Sequence, residues 1–237
     1  MNLILLAAGR GSRLEDYSKD MPKCLLEVSG ETLLSRIYEM SKNFNFEKVI
    51  VIGGYMSSLL KSNKWDLLIN HSWAETGPFE TLVQAAKYLE SDDCVISYTD
   101  IFYSSDFLGE CYSSIYDIYV PSNLNWIKSW QVRSIDILSD LESFRYGNGE
   151  ILEIGQKVAD LNQVQGQFSG LIKTTPSGWE KIRAVYVEQN DKKADFTSVL
   201  SKSITKGISI RTSPVDGFWY EFDTMDDVVN YHKSRQL

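Results

Sequence analysis

Residues 2–8 (NLILLAA) form a short apolar run that stops at Gly9, the pattern of a strand buried on both faces and feeding a loop that needs backbone freedom. In residues 32–43, Leu33, Leu34, Ile37, Tyr38 and Met40 fall near a helical period, and KVIVI at 48–52 reads as a second buried strand. The alternation continues with a strand at 65–70, a helix at 81–89 and a strand at 94–98 that runs into Thr99-Asp100. Such alternation predicts a parallel sheet covered by helices. Beyond Asp100 the pattern changes: aromatic and polar residues interleave over 112–130, and Gly147-Asn148-Gly149 marks a turn before 150–154, so antiparallel strands are expected beside the main sheet. A helix at 195–203, a strand at 208–212 and a terminal helix at 225–235, with Asp226 and Asp227 in its first turn, complete the expected elements.

Composition narrows what such a fold would do. With 237 residues, 43% hydrophobic and 12% aromatic, the chain can build the core of one large domain. Lys and Arg total 24 against 32 Asp and Glu, a formal charge of −8, which argues against a nucleic-acid binder relying on diffuse phosphate attraction but leaves room for a small charged ligand held by local cations. Cys24, Cys94 and Cys111 show no CxxC spacing and are odd in number, so a reducing, cytoplasmic setting is expected. His71 and His232 are the only histidines, and any metal should therefore rest on carboxylates. The opening apolar run is too short for a secretory signal with its flanks, and no stretch approaches the roughly 18 apolar residues of a membrane span. Membrane association is not expected, and oligomeric state is left open.

The candidate chemistry lies at three places. In LLAAGRGSRL, residues 5–14, the small residues and glycines of Leu6, Ala7, Ala8, Gly9, Gly11 and Ser12 let main-chain N–H groups approach phosphate oxygens, while Arg10, Arg13 and the later Lys23 neutralise them. The loop matches neither GxxxxGK[ST] nor GxGxxG, and without its cations it would read equally well as a tight turn. Asp100 follows CVISYT, at the carboxyl end of a strand, where ligands of open α/β sheets collect; an ordinary helix cap is the alternative. In WYEFD, Glu221 and Asp223 alternate onto one face, where their like charges repel unless a divalent cation such as magnesium joins them; a solvated strand edge is the alternative.

LAAGRGSRL followed by Pro22-Lys23 resembles the signature of the nucleotidyltransferases that make nucleotide-activated sugars and alcohols. VIGGYMSSLL, SYTDIFY, QGQFSGLIKTT and VDGFWYEFDTMDDV, in that order, are similar to the branch of phosphocholine and phosphonate cytidylyltransferases, so the resemblance spans nearly the whole chain. It implies a single α/β domain over residues 1–237, a Rossmann-like three-layer fold with a mixed, mostly parallel central sheet and a small antiparallel insertion, the acceptor-binding part at approximately 104–175. It further implies Mg2+ held by Asp100, Glu221 and Asp223, CTP as the nucleotide, and a small phosphorylated or phosphonylated acceptor. Arg13, Lys23 and Lys157 become the catalytic cations, the last neutralising the acceptor or the α-phosphate. Gly54, Tyr55, Thr76 and Thr81 are placed to border base and ribose, and each suits a turn or a helix start equally well.

Trp126, Trp130, Arg133, Gln167 and Trp219 become acceptor-side candidates. With Asp140 and Glu142 nearby, the aromatic faces suit an ammonium group, although tryptophans serve core packing just as well. Two departures stand out: ETGPFETL replaces the asparagine-proline segment common in sugar nucleotidyltransferases, and Thr99 stands where many relatives have glycine. The expected role is a cytidylyltransferase for surface-glycan or lipid decoration. A sugar-1-phosphate enzyme using UTP or dTTP, and a non-catalytic nucleotide sensor, are the competing readings.

Overall fold

The computed structural model describes residues 1–132 and 141–234. Its centre is a six-stranded sheet in the spatial order Asp66–Ile69, Val49–Gly53, Asn2–Ala7, Cys94–Tyr98, Leu171–Thr174, Ile118–Tyr119. The first four strands are mutually parallel; Leu171–Thr174 runs antiparallel to both its neighbours, making the sheet mixed.

All six residues of Asn2–Ala7 are buried because both faces of the sheet are covered, and alternation divides them between two cores. Leu3, Leu5 and Ala7 pack with Leu34 and Ile37 of helix Leu33–Ser41 and with Phe107, Leu108 and Cys111 of helix Ser105–Ser113. Ile4 and Leu6 pack on the opposite face with Phe79 and Leu82 of helix Pro78–Val83, Trp179 and Ile182 of helix Pro176–Gln189, and Val199 and Leu200 of helix Phe196–Thr205. This is the expected three-layer α/β architecture. A third cluster, including Leu14, Phe102, Phe222, Val228 and Tyr231, packs the terminal helix Met225–Ser234 beneath the residues after the glycine-rich loop.

Several expectations change. The helix expected over 81–89 starts earlier, at Pro78, whose ring suits a first helical turn, and divides into Pro78–Val83 and Ala86–Leu89. The interleaved stretch 112–130 is only partly extended: two-residue strands Ile118–Tyr119 and Ser122–Asn123 precede helix Trp126–Val132. There the buried residues Trp126, Ser129 and Trp130 follow a helical rather than an alternating period. The longest antiparallel pairing outside the main sheet is the hairpin Glu142–Gly147 with Glu150–Lys157, turned by Asn148 and Gly149, both at positive φ. Residues 208–212 form no strand; Arg211 makes isolated bridges to Tyr119 and Glu150, so the segment ties the sheet edge to the hairpin.

Candidate active site

Three segments meet at the carboxyl end of the central strands. Gly11, at φ +71°, lets the loop turn over the stem of Lys23: a methyl group at this glycine would lie 2.8 Å from Lys23 Cβ. Pro22, extended at φ −67°, leads into the single turn Lys23–Leu25. Asp100 follows strand Cys94–Tyr98, where the Thr99 hydroxyl donates to the Leu6 carbonyl at 2.7 Å and joins the ends of two adjacent strands. Thr99 therefore replaces the freedom of a glycine with a specific tie. The third segment arrives through antiparallel pairing of Trp219–Glu221 with Ile101–Tyr103, extended by the bond from Phe222 N–H to the Asp100 carbonyl. Asp227 then holds the chain beyond the strand, accepting from the backbone N–H of Asp223 at 3.0 Å and of Thr224 at 2.8 Å.

This pairing brings carboxylate oxygens of Asp100, Glu221 and Asp223 within 4.8 Å of one another. Lys23 Nζ lies between two of them, 2.7 Å from Asp100 and 2.6 Å from Asp223, and Arg13 approaches Asp223 at 3.4 Å from a largely exposed position. Burial alone would lower the Lys23 pKa, but attraction from Asp100, Asp223 and Glu221 outweighs it and holds the ammonium well above its ordinary range. The Asp100 Oδ1 atom is buried without a hydrogen-bond partner. Hard oxygen donors in this number, already gathered around a cation and with one oxygen unsatisfied, fit a divalent metal such as magnesium.

Two cavities flank the cluster. The smaller, 190 Å3, is lined by Leu6, Ala8, Gly9, Trp73, Thr76, Gly77, Pro78, Thr81, Tyr98 and Asp100. The larger, 310 Å3, includes Arg13, Tyr98, Trp130, Glu142, Gln167, Asp195, Trp219, Glu221 and Asp223 in its lining. Tyr98 borders both. Burial of its ring, then the nearby charges of Asp100, Asp195 and Glu221, push its phenol well above the ordinary range and keep it neutral. A still larger surface cavity of 810 Å3 lies against the outside of helix Pro176–Gln189 and contains none of the candidate residues.

The remaining sequence candidates divide. Leu6, Ala8, Gly9, Thr76 and Thr81 line the small cavity, whereas Ala7 ends the buried first strand and Ser12 opens the turn after the loop. Gly54 and Tyr55 act from behind. A methyl group at Gly54 would lie 2.5 Å from Trp73 Cβ, the Tyr55 ring packs edge-on against Trp73, and its hydroxyl donates to the Lys19 carbonyl at 2.5 Å. Arg10 lies over the Tyr55 ring, 5.5 Å from its centre.

Trp130 and Trp219 stack on each other at the larger cavity, and Gln167 is anchored to the Glu142 carbonyl at 2.6 Å. Trp126, one helical turn before Trp130 on the same face, lies in the core and lines neither cavity. Lys157 is exposed at the far end of the hairpin strand, opposite Glu142, and also lines neither. Arg133 and Asp140 lie outside the described residues. Sequence reasoning did not single out Trp73, Tyr98 or Asp195. Tyr98, two positions before Asp100 on a strand, carried the only positional signal.

Comparison with known proteins bears on the family and the fold. The model of the MobA-like NTP transferase domain matches residues 3–150. The chain is similar to the CTP:phosphoglutamine cytidylyltransferase of Campylobacter jejuni, 30% identical over 247 residues that cover 96% of this chain and 98% of the relative. It is also similar to the choline-phosphate cytidylyltransferase of Haemophilus influenzae, 24% identical over 170 residues, 69% of this chain and 65% of that one. In fold it resembles the inositol-1-phosphate CTP transferase from T. maritima, with a TM-score of 0.77 at 18% identity over 99% of this chain and 95% of the other.

Proposed function

The chain belongs to the family of MobA-like NTP transferase domains, and we propose that it is a magnesium-dependent cytidylyltransferase joining CMP from CTP to a small phosphorylated or phosphonylated acceptor. The observation that carries this reading is the position of the carboxylate cluster: Asp100, Glu221 and Asp223 lie beneath the glycine-rich loop, between one cavity that takes in Asp100 and another that takes in Glu221 and Asp223. Similarity to two cytidylyltransferases supports CTP as the nucleotide.

Main-chain N–H groups of the loop, with Lys23 and Arg13, would bind the triphosphate and neutralise the charge that builds on the departing pyrophosphate. Asp100, Glu221 and Asp223 would hold the divalent ion, which when bound supplies charge neutralisation and alignment of phosphate oxygens. The small cavity would seat the nucleoside and the larger one the acceptor. An acceptor oxygen then forms a bond to the α-phosphorus in line with the breaking bond to the β-phosphate, so positioning and electrostatics suffice without a covalent enzyme intermediate. Tyr98, Trp130, Trp219, Glu142 and Asp195 make the acceptor cavity aromatic and acidic, which supports an acceptor carrying an ammonium group. The exposed Lys157 has no part in this scheme.

Pyrophosphate release, measured with magnesium, each triphosphate in turn and a panel of phosphorylated amines, alcohols and sugars, tests the reading. CTP with a phosphorylated amine or alcohol is the pair expected to react, and Asp100→Ala and Asp223→Ala should abolish turnover in folded protein. Reaction only with UTP or dTTP and a sugar phosphate would overturn the cytidylyl assignment. No release with any pair would overturn the transferase reading itself.

A further inference from the structure

We infer that Asn70 sets the base selectivity of the small cavity by holding the hydroxyls of Thr76 and Thr81 as hydrogen-bond acceptors, so that it takes the amino group of cytosine and rejects uracil. The inference rests on the proposed role of this cavity as the nucleoside site, and it assigns a residue that lies behind the cavity wall.

Asn70 follows strand Asp66–Ile69 and is buried. Its Nδ2 group lies 3.0 Å from Thr76 Oγ1 and 3.0 Å from Thr81 Oγ1. Backbone groups with fixed polarity set the direction of every bond in this network. The Ser72 N–H can only donate, and it donates to Asn70 Oδ1 at 3.0 Å, which turns the amino end of the side chain toward the two threonines. Carbonyl oxygens can only accept, and Thr76 lies 2.9 Å from the Ser72 carbonyl while Thr81 lies 3.2 Å from that of Gly77. Each hydroxyl has one proton and two lone pairs. The proton goes to a backbone carbonyl and one lone pair to Asn70, which leaves a lone pair and no donor on each.

Both threonines line the small cavity. A base placed against them must bring a donor. Cytosine carries an exocyclic amino group where uracil carries a carbonyl oxygen, so uracil sets acceptor against acceptor and leaves polar atoms unpaired. Size acts in the same direction. At 190 Å3 the cavity is below the usual range for small-molecule sites, and Trp73 walls it, held against Gly54 and Tyr55, so it suits one ring better than the fused rings of adenine.

The test is equilibrium binding of CTP, UTP, ATP and dCTP, with magnesium and no acceptor, to wild-type protein and to Thr76→Val and Thr81→Val, which keep the side-chain shape and remove the hydroxyl. Wild-type should bind CTP at least about tenfold tighter than UTP or ATP, with dCTP close to CTP. Each valine variant should lose roughly tenfold for CTP with little change for UTP. Equal wild-type affinity for CTP and UTP overturns the inference, as does equal weakening of both by the variants or a dCTP loss as large as that of UTP, which would put the hydroxyls on ribose. If Thr81→Val does not fold, the more exposed Thr76→Val and the wild-type comparison still decide it. Turnover with CTP and UTP alike would defeat this inference and leave the transferase reading standing, whereas absence of any triphosphate binding would defeat both.

Discussion

Lys23→Met keeps an unbranched stem against Gly11 and removes the ammonium that lies 2.7 Å from Asp100 and 2.6 Å from Asp223. Only 12% of the lysine side chain and 8% of the Asp223 side chain are exposed, so water does little to replace the lost partner. Breaking a buried ion pair from one side costs about 3–5 kcal/mol. Arg13, 68% exposed and 3.4 Å from Asp223, recovers at most about 1 kcal/mol through screened attraction. For a chain of 237 residues, each kcal/mol moves the melting temperature by about 2–4 °C, so the variant should melt roughly 4–20 °C below wild-type in metal-free, nucleotide-free buffer. Magnesium should then recover more of the loss in the variant than it adds to wild-type, because in wild-type the ammonium already engages two of the three carboxylates. Turnover with CTP should fall at the same time, since Lys23 would also neutralise the triphosphate. Calorimetry across a magnesium series reads both thermal effects. A variant melting within about 2 °C of wild-type, or equal stabilisation of both proteins by magnesium, would refute the competition between ammonium and metal for one acidic cluster.

Gly11→Ala places a side chain at φ +71° and 2.8 Å from the Lys23 stem. It should cost about 1–3 kcal/mol in a denaturant melt and, by moving the ammonium, lower turnover by about 100-fold; an unchanged rate would show that the loop does not position Lys23. Cys24, Cys94 and Cys111 are all buried and free. Burial pushes the Cys24 and Cys94 thiols up to about 12 and Cys111 beyond the ordinary thiol range, so native protein at pH 8 should resist a disulfide reagent until denaturant is added. One fast-reacting thiol in the native protein would contradict that burial.

Sequence pattern alone determined the main-sheet strands at 2–8, 48–52, 65–70 and 94–98, the glycine-rich loop, and the pairing of Glu221 with Asp223 on one extended segment. These features are written in short-range periodicity and local backbone preference, which act over a few residues. Only the tertiary structure decided that Lys23 meets Asp100 across 77 residues and Asp223 across 200, because that meeting depends on which strands pair. The assembled fold also buried Trp126 in the core, left Lys157 in solvent and joined Asn70 to Thr76 and Thr81 behind a cavity wall. A tryptophan or threonine has the same local signature whether it lines a cavity or packs beneath one. What separates the two is the face that a distant segment covers, and that is set by the assembled sheet.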